Sequence, residues 1–543
     1  MESQRSFLFI ALLVVSFLLF QQWQVENAPV QVQEQTQTSA TSSSTENASD
    51  DFVPASSEAS PVAEVVKPSA KEVTVTTDVF RVKINSQGGD ITEVALLDYD
   101  TEQGSGEPYV MLQNGARKYI AQSGLTGANG PDRLIPGRPI YQVEQVEYQL
   151  NGQDKLDVNL TLIQENGLDI VKTYTFTPGK YDIGLTYTLT NNTAQSASVQ
   201  LYGQLKQSTY IDGSSALIPT YRGAAYSTTE DRYEKYDFAD IADANLNQTT
   251  LGGWVAMLEH YFVSAWVPQV SDNNQLYTNY TSKGDAVIGF KAPAVTIDAN
   301  QSATTSATLY AGPKLQDDLA AIADGLDLTV DFGFLFMISS PLHWLLLAIQ
   351  SVVVNWGVAI IIITLIVKGI MYPLTKAQYT SMAKMRDLQP KMQALKERFG
   401  DDRQKLGQAT MELYRKEKVN PAGGCLPMLI QMPIFLALYW VFLESVELRH
   451  ATFGLWLQDL SAEDPYYILP ILMGISMFVM QKMQPMTTQD PMQQKIMQYM
   501  PVAFTVFFFW FPSGLVLYWL VSNIISIVQM KIIFRGMEKA KQK

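Results

Sequence analysis

The sequence predicts a membrane α-helical protein with six spans that carries a large, water-facing antiparallel β-sandwich. Three observations predict it. Apolar runs cluster at the two ends of the 543-residue chain, the middle alternates apolar and polar residues with a period of two, and basic residues gather in particular connections between the apolar runs. The hydrophobic content of 47% averages these two unlike parts. The net charge of −14 arises in the middle and in a linker, so the basic footprint of a nucleic-acid binder is missing. Cys425 is the only cysteine, which excludes an internal disulfide and any multi-cysteine metal site.

Residues 1–26 are expected to form a membrane anchor around Ser6–Phe20 (SFLFIALLVVSFLLF). No small-x-small cleavage site follows: the nearest candidate ends at Ala28, with Glu26 where a small residue belongs and Pro29 directly after. Arg5 ahead of the run places the N-terminus in the cytoplasm. Residues 27–71 are polar and of low complexity, too poor in large apolar side chains to collapse, and read as a flexible tether.

Residues 72–330 are expected to be the sandwich. Val73 and Val75, then Phe80, Val82 and Ile84, then Val158, Leu160 and Leu162, then Tyr174 and Phe176, then Ile183, Leu185, Tyr187 and Leu189 alternate with polar neighbours. Turn residues such as Asn166-Gly167 and Pro178-Gly179-Lys180 separate them. A sheet domain of this size suggests a carbohydrate enzyme, but only one of the three histidines in the chain, His260, falls here. It sits beside Glu259 in the apolar stretch WVAMLEHYF, the setting of a packed histidine rather than a catalytic one.

Residues 331–350 have the aromatics, with Trp344, of an interfacial amphipathic helix. Residues 351–535 hold five further apolar segments, near 352–373, 426–443, 466–480, 497–511 and 514–533. The connection between the first two of these, residues 376–418, carries eleven lysines and arginines from Lys376 to Lys418, so it is expected in the cytoplasm. Lys482 and Lys495 mark a second cytoplasmic connection, and residues 536–543 form a basic cytoplasmic tail. Arg449 is the only lysine or arginine in the two connections left for the other side. Both termini are thus expected inside and the sandwich in the periplasm. The segments near 466–480 and 497–511 offer about fifteen apolar residues each, roughly 22 Å of helix against a hydrocarbon core of about 30 Å, so the bilayer around them should thin.

Lys368 interrupts the apolar run Val352–Pro373 (VVVNWGVAIIIITLIVKGIMYP). A lysine at the centre of a span costs about 3 kcal/mol, so such charges usually face a polar cavity; snorkelling to the headgroups is the alternative, since only five residues separate Lys368 from Pro373. Within 376–418, Met382, Met385, Met392, Leu395 and Phe399 recur at near-helical spacing, with a break at Gly400-Asp401-Asp402 and a bend expected at Pro390. That pattern reads either as a helical hairpin packed on itself or as an adaptable methionine surface for varied apolar chains.

The stretches KGIMYPLTKAQYTSMAKMRDLQPKMQALKERFGDD, KVNPAGGCLPMLIQMPIFLALYW, DPYYILPILMGISMFVMQKMQP and DPMQQKIMQYMPVAFTVFFFWFPSGLVLYWLVSN resemble the YidC/Oxa/Alb family of membrane-protein insertases, from about Phe332 to Arg535. The anchor, tether and sandwich fit its Gram-negative form, whose exported domain is similar to the galactose-mutarotase super-sandwich without its catalysis. The resemblance implies a protein that is no enzyme, uses no cofactor or small-molecule substrate, and passes nascent inner-membrane proteins into the lipid bilayer. It implies the ribosome, the Sec translocon and the signal recognition particle receptor as partners. It also implies a hydrophilic groove in which Lys368 takes the place of a basic residue that is most often arginine; lysine keeps the charge and loses the bidentate fork. Thr364 lies one turn away on the same helical face. Contacts with the arriving helix carry over to Phe435, Met473, Phe507 and Trp519, the last standing beside Tyr518 where tyrosine is common.

Two other classes compete. A transporter or channel also explains an intramembrane lysine, but predicts more polar spans and an internal repeat, which the sequence lacks. A membrane-anchored carbohydrate-binding protein explains the sandwich and leaves five spans without a purpose.

Overall fold

The structure, a computed structural model, describes residues 53–54, 69–132, 137–164, 166–209, 220–399, 402–417, 426–483 and 491–541. The expected anchor, nearly all of the tether and Cys425 lie outside them.

Alternation in the middle of the chain produces two sheets that share one core, of ten and nine strands among the described residues. In strand Asp182–Asn191 the side chains of Ile183, Leu185, Tyr187 and Leu189 are buried while those between them stay half-buried. The strand lies between Leu168–Phe176 and Ser302–Pro313, with Leu185 opposite Tyr174 on one side and Ala307 on the other. In the ten-stranded sheet, Ala197–Ser208 pairs antiparallel with Lys118–Thr126 and with Asp285–Ile297. Leu162 is the exception among the alternating residues: it lies near the end of its strand and is half-buried. Strands Trp254–Leu258 and Phe262–Pro268 are buried at every position, so both faces of that hairpin are covered. At Thr177-Pro178-Gly179-Lys180 the Lys180 amide donates to the Thr177 carbonyl at 3.3 Å. Gly179 has φ +68°, so proline and glycine occupy the two positions a type II turn reserves for them.

The core also buries charge, and it surrounds Arg138 and Lys172 with partners. Arg138 donates to Asp90 at 2.6 Å, to Asp132 at 2.9 Å and to the Ser123 carbonyl at 2.6 Å. Lys172 is fully buried and donates to the carbonyls of Gly88, Gly89 and Ser123 at 2.9, 2.8 and 3.2 Å, beside the rings of Tyr141, Tyr174 and Tyr187.

Two short helices, α1 (Phe238–Asp243) and α2 (Gln316–Ile322), belong to this domain. Then follow α3 (Phe336–Val353), α4 (Trp356–Ile370), α5 (Tyr372–Phe399), α6 (Arg403–Lys416), α7 (Leu426–Glu444), α8 (Ile468–Met483), α9 (Pro491–Phe507) and α10 (Ser513–Lys541). Two stretches, Gly333–Val353 and Ser513–Lys539, are each long and apolar enough to cross a membrane, and the α4–α5 pair, bent by 65°, makes a third if counted as one span. The stretch read from sequence as interfacial therefore meets the length and composition of a span, though only 17% of it is buried. Among the described residues, α8 and residues 431–444 of α7 are apolar but shorter.

The sandwich is tied to the helices by polar contacts. His260 donates from Nε2 to the Leu443 carbonyl at 2.9 Å near the end of α7, and burial lowers its pKa to about 4, leaving a neutral donor. Arg449 donates to the carbonyls of Asp100 and Thr101 at 2.7 and 3.2 Å, and its guanidinium lies over the rings of Tyr109 and Phe262. Gln316 of α2 meets His343 of α3 at 3.1 Å.

Candidate functional site

Helix α4 starts where the Asn355 side chain accepts from the Val358 amide at 3.0 Å. Ile360, Thr364 and Lys368 follow at intervals of four, stacking on one buried face. The Thr364 hydroxyl donates to the Ile360 carbonyl at 2.6 Å. Lys368 is 6% exposed, and its ammonium donates to the Ser526 hydroxyl of α10 at 3.0 Å. Ser526 passes the chain on to the Ser522 carbonyl at 2.8 Å, and the Gln529 side-chain amide donates to the Lys368 carbonyl at 3.3 Å. Among the described residues no carboxylate lies within ion-pair distance of Lys368, and the Gln529 Oε1 is buried without a partner.

This pair belongs to a polar seam. Asn523 donates to the Ser476 hydroxyl of α8 at 2.9 Å, and Ser476 donates to the Met473 carbonyl at 2.6 Å. Ser476, Ser522, Asn523, Ser526 and Gln529 are all buried. None was singled out from the sequence, because none is charged and α10 reads as one apolar run. The signal was present: Trp519, Ser522, Ser526 and Gln529 share one helical face.

The remaining expected residues fall into two groups. Phe435 of α7 stacks on Tyr518 at 6.0 Å and meets Trp519 edge-on at 4.7 Å, with Phe508 4.6 Å from Trp519. This aromatic cluster lies two turns, roughly 10 Å, along α10 from Ser526. Met473 is fully buried in α8. Phe507 is 45% exposed and meets Phe508 edge-on at 5.6 Å and Phe511 at 4.8 Å.

The helices α5 and α6 pack on each other: the Tyr414 hydroxyl donates to the Met392 sulfur at 3.3 Å, and Lys391 pairs with Glu417 at 2.5 Å. Met382 packs against the cluster of Tyr379 with Met530 and Ile533 of α10. Met385, Leu395 and Phe399 are half-buried. Of the residues between α5 and α6, Gly400 and Asp401 lie outside the described ones; Asp402 caps α6 by accepting from the Lys405 amide at 3.1 Å.

The family model described as the YidC periplasmic domain matches residues 72–345, and that described as the 60Kd inner membrane protein matches residues 348–541. The Membrane protein insertase YidC of Shewanella loihica is 56% identical over 542 residues, covering 99% of both chains. That of Shewanella piezotolerans is 56% identical over 541 residues, again covering 99% of both. This chain belongs to the YidC family of membrane protein insertases. Like the domains it matches, it is an inner-membrane protein with a periplasmic β-sandwich and a helical C-terminal part. A crystal structure of an active YidC insertase with its first transmembrane domain resolved is 20% identical, with a TM-score of 0.37, covering 85% of this chain and 92% of that one.

Proposed function

We propose that this membrane protein insertase moves polar segments of nascent membrane proteins through the seam around Lys368. The observation that carries the reading is the buried ammonium of Lys368, held among the described residues by the neutral Ser526 hydroxyl alone. A charge kept in an apolar helix without a counter-ion is costly unless something arrives to use it. An acidic or polar segment of the arriving chain is attracted there, and the apolar helix behind it then gains by leaving for lipid, sliding past Phe435, Met473, Phe507, Tyr518 and Trp519. No covalent bond changes and no cofactor takes part.

In this reading six spans cross the inner membrane: residues 1–26, α4, α7, α8, α9 and α10. The exposed aromatics Phe336 and Trp344 keep α3 at the outer interface. Both termini are cytoplasmic, as the basic connections require. Short α8 and α9 thin the bilayer and shorten the polar path. The α5–α6 hairpin receives substrate at the cytoplasmic side, and the basic tail touches ribosomal RNA through its phosphates. The Sec translocon and the signal recognition particle receptor are further partners.

The test is depletion of the protein in its host and complementation with wild type, Lys368→Arg, Lys368→Ala or Lys368→Glu, scoring insertion of a short substrate with an acidic N-terminal tail. Rescue by Arg with failure of Ala and Glu is expected. Equal insertion by all four overturns the role of the charge.

A further inference from the structure

Where α7 ends, the sandwich and the helices line a polar cavity of about 80 Å³, room for roughly five waters at the ~15 Å³ that one needs. Its walls include Tyr233, Lys235 and Lys314 from the sandwich, Asp331 from the connector, and Trp440 and Glu444 from α7. Lys235 and Asp331 form an ion pair. Lys314 and Glu444 are 4% and 6% exposed, and among the described residues neither side chain has a hydrogen-bond or ion-pair partner; they lie further apart than the 4.0 Å of an ion pair. The Tyr233 hydroxyl is buried and likewise unpartnered. Lys314 and Glu444 both line the space; burial lowers the pKa of Lys314, and Glu444 is the principal charge opposing that shift. Opposite charges that share a cavity without touching require an occupant with a negative end for one and a positive end for the other, or water.

The setting narrows the choice. Trp440 lies one turn before the end of α7, and Gly333 rests against its indole. Directly after Gly333, Phe334, Phe336 and Met337 are 80%, 55% and 76% exposed, an apolar rim next to a charged cavity.

We propose that this cavity binds the zwitterionic headgroup of a phospholipid of the phosphoethanolamine class. The phosphate faces the Lys314 ammonium and the Tyr233 hydroxyl, the ethanolammonium donates to Glu444, and the acyl chains lie over Phe334, Phe336 and Met337. A choline headgroup has no N–H for Glu444, and a glycerol headgroup has no cation, so both bind less well.

The test uses the full-length protein released from nanodiscs that hold equal parts of phosphatidylethanolamine, phosphatidylcholine and phosphatidylglycerol, with retained lipid counted by native mass spectrometry. One phosphatidylethanolamine per chain is expected, preferred about tenfold, the loss that follows from one missing hydrogen bond to a charged group. Glu444→Gln should abolish the preference, Lys314→Met should lower retention of all three lipids alike, and Lys314→Arg and Glu444→Asp should keep both retention and preference. Equal retention of the three lipids by wild type overturns the proposal without recourse to any variant, as does an undiminished preference in Glu444→Gln together with undiminished retention in Lys314→Met. Soluble glycerophosphoethanolamine separates a lipid from a free phosphoester: weak, millimolar competition is expected, and binding as tight as that of the whole lipid assigns the site to a free small molecule and overturns the lipid.

Discussion

Replacing Lys368 by alanine should slow insertion of a substrate that carries one acidic residue in its translocated tail by about thirtyfold, and leave a neutral-tailed substrate nearly unaffected. An ammonium and a carboxylate about 4 Å apart attract by about 4 kcal/mol at an effective dielectric of ~20. To accept that carboxylate, Lys368 gives up its 3.0 Å bond to Ser526, about 2 kcal/mol for a hydrogen bond to a charged group. The remaining ~2 kcal/mol corresponds to roughly thirtyfold. Lys368→Glu turns the attraction into repulsion, so a substrate whose tail carries lysine should insert through that variant better than its acidic counterpart. Ser526→Ala removes the competing acceptor and should hold acidic tails at least as well as wild type. The assay is protease accessibility of the tail after pulse labelling in cells depleted of wild-type protein. A uniform slowing of acidic and neutral substrates by Lys368→Ala, or failure of the lysine tail to rescue Lys368→Glu, would refute electrostatic capture and leave Lys368 as a packing residue of α4.

Arg138→Leu leaves the buried carboxylates of Asp90 and Asp132 facing each other without their cation, and a loss of about 3–5 kcal/mol in sandwich stability is expected from chemical denaturation of the full chain. His260 has a folded pKa of about 4 against 6.5 for the free imidazole, so the unfolded state binds more protons between those values. Stability should therefore fall as pH drops from 6.5 to 4, by up to about 1.4 kcal/mol per unit. His260→Gln should flatten that part of the pH dependence; an unchanged slope in thermal melts means the ring is not the titrating group. Deleting residues 72–314, which spares α2, should leave insertion of small substrates intact, and loss of insertion by a stably expressed deletion would contradict it.

The sandwich was legible where one face of a strand is buried and the other is half-buried, as in Asp182–Asn191, because period-two burial writes itself directly into the sequence. Strand order was not, since pairings such as Tyr119 with Gln207 span many residues and depend on the assembled core. Lys368 stood out because a charge in an apolar run has a large and sequence-visible cost. Its partner did not: Ser526 can bond back to its own helix, and does so to the Ser522 carbonyl, so nothing local demands that it also face α4. Arg449 was visible only as the lone lysine or arginine in the outer connections; the carbonyls of Asp100 and Thr101 that receive it lie about 350 residues earlier in the chain.

The contacts that bind the sandwich to the helices differ in kind from those that order the helices themselves, and this is why the deletion is expected to be tolerated. His260 of the sandwich grips the end of α7 through the Leu443 carbonyl, and Arg449, in the connection after α7, grips the sandwich through the Asp100 and Thr101 carbonyls and the rings of Tyr109 and Phe262. The position of α7 against α10 is set further down, by Phe435 on Tyr518 and Trp519 and by Phe442 on Tyr518 at 5.7 Å, ring pairs formed between the helices themselves. Aromatic pairs of this kind contribute about 0.5–1.5 kcal/mol each beyond their buried area. From that cluster the same face of α10 leads to Ser526 and Lys368. Removing the sandwich exposes the end of α7 but leaves every contact of the seam in place. Changing Phe435 or Trp519 to alanine, by contrast, loosens α7 on the helix that holds Lys368, so those two substitutions should impair insertion more than loss of the whole β-domain.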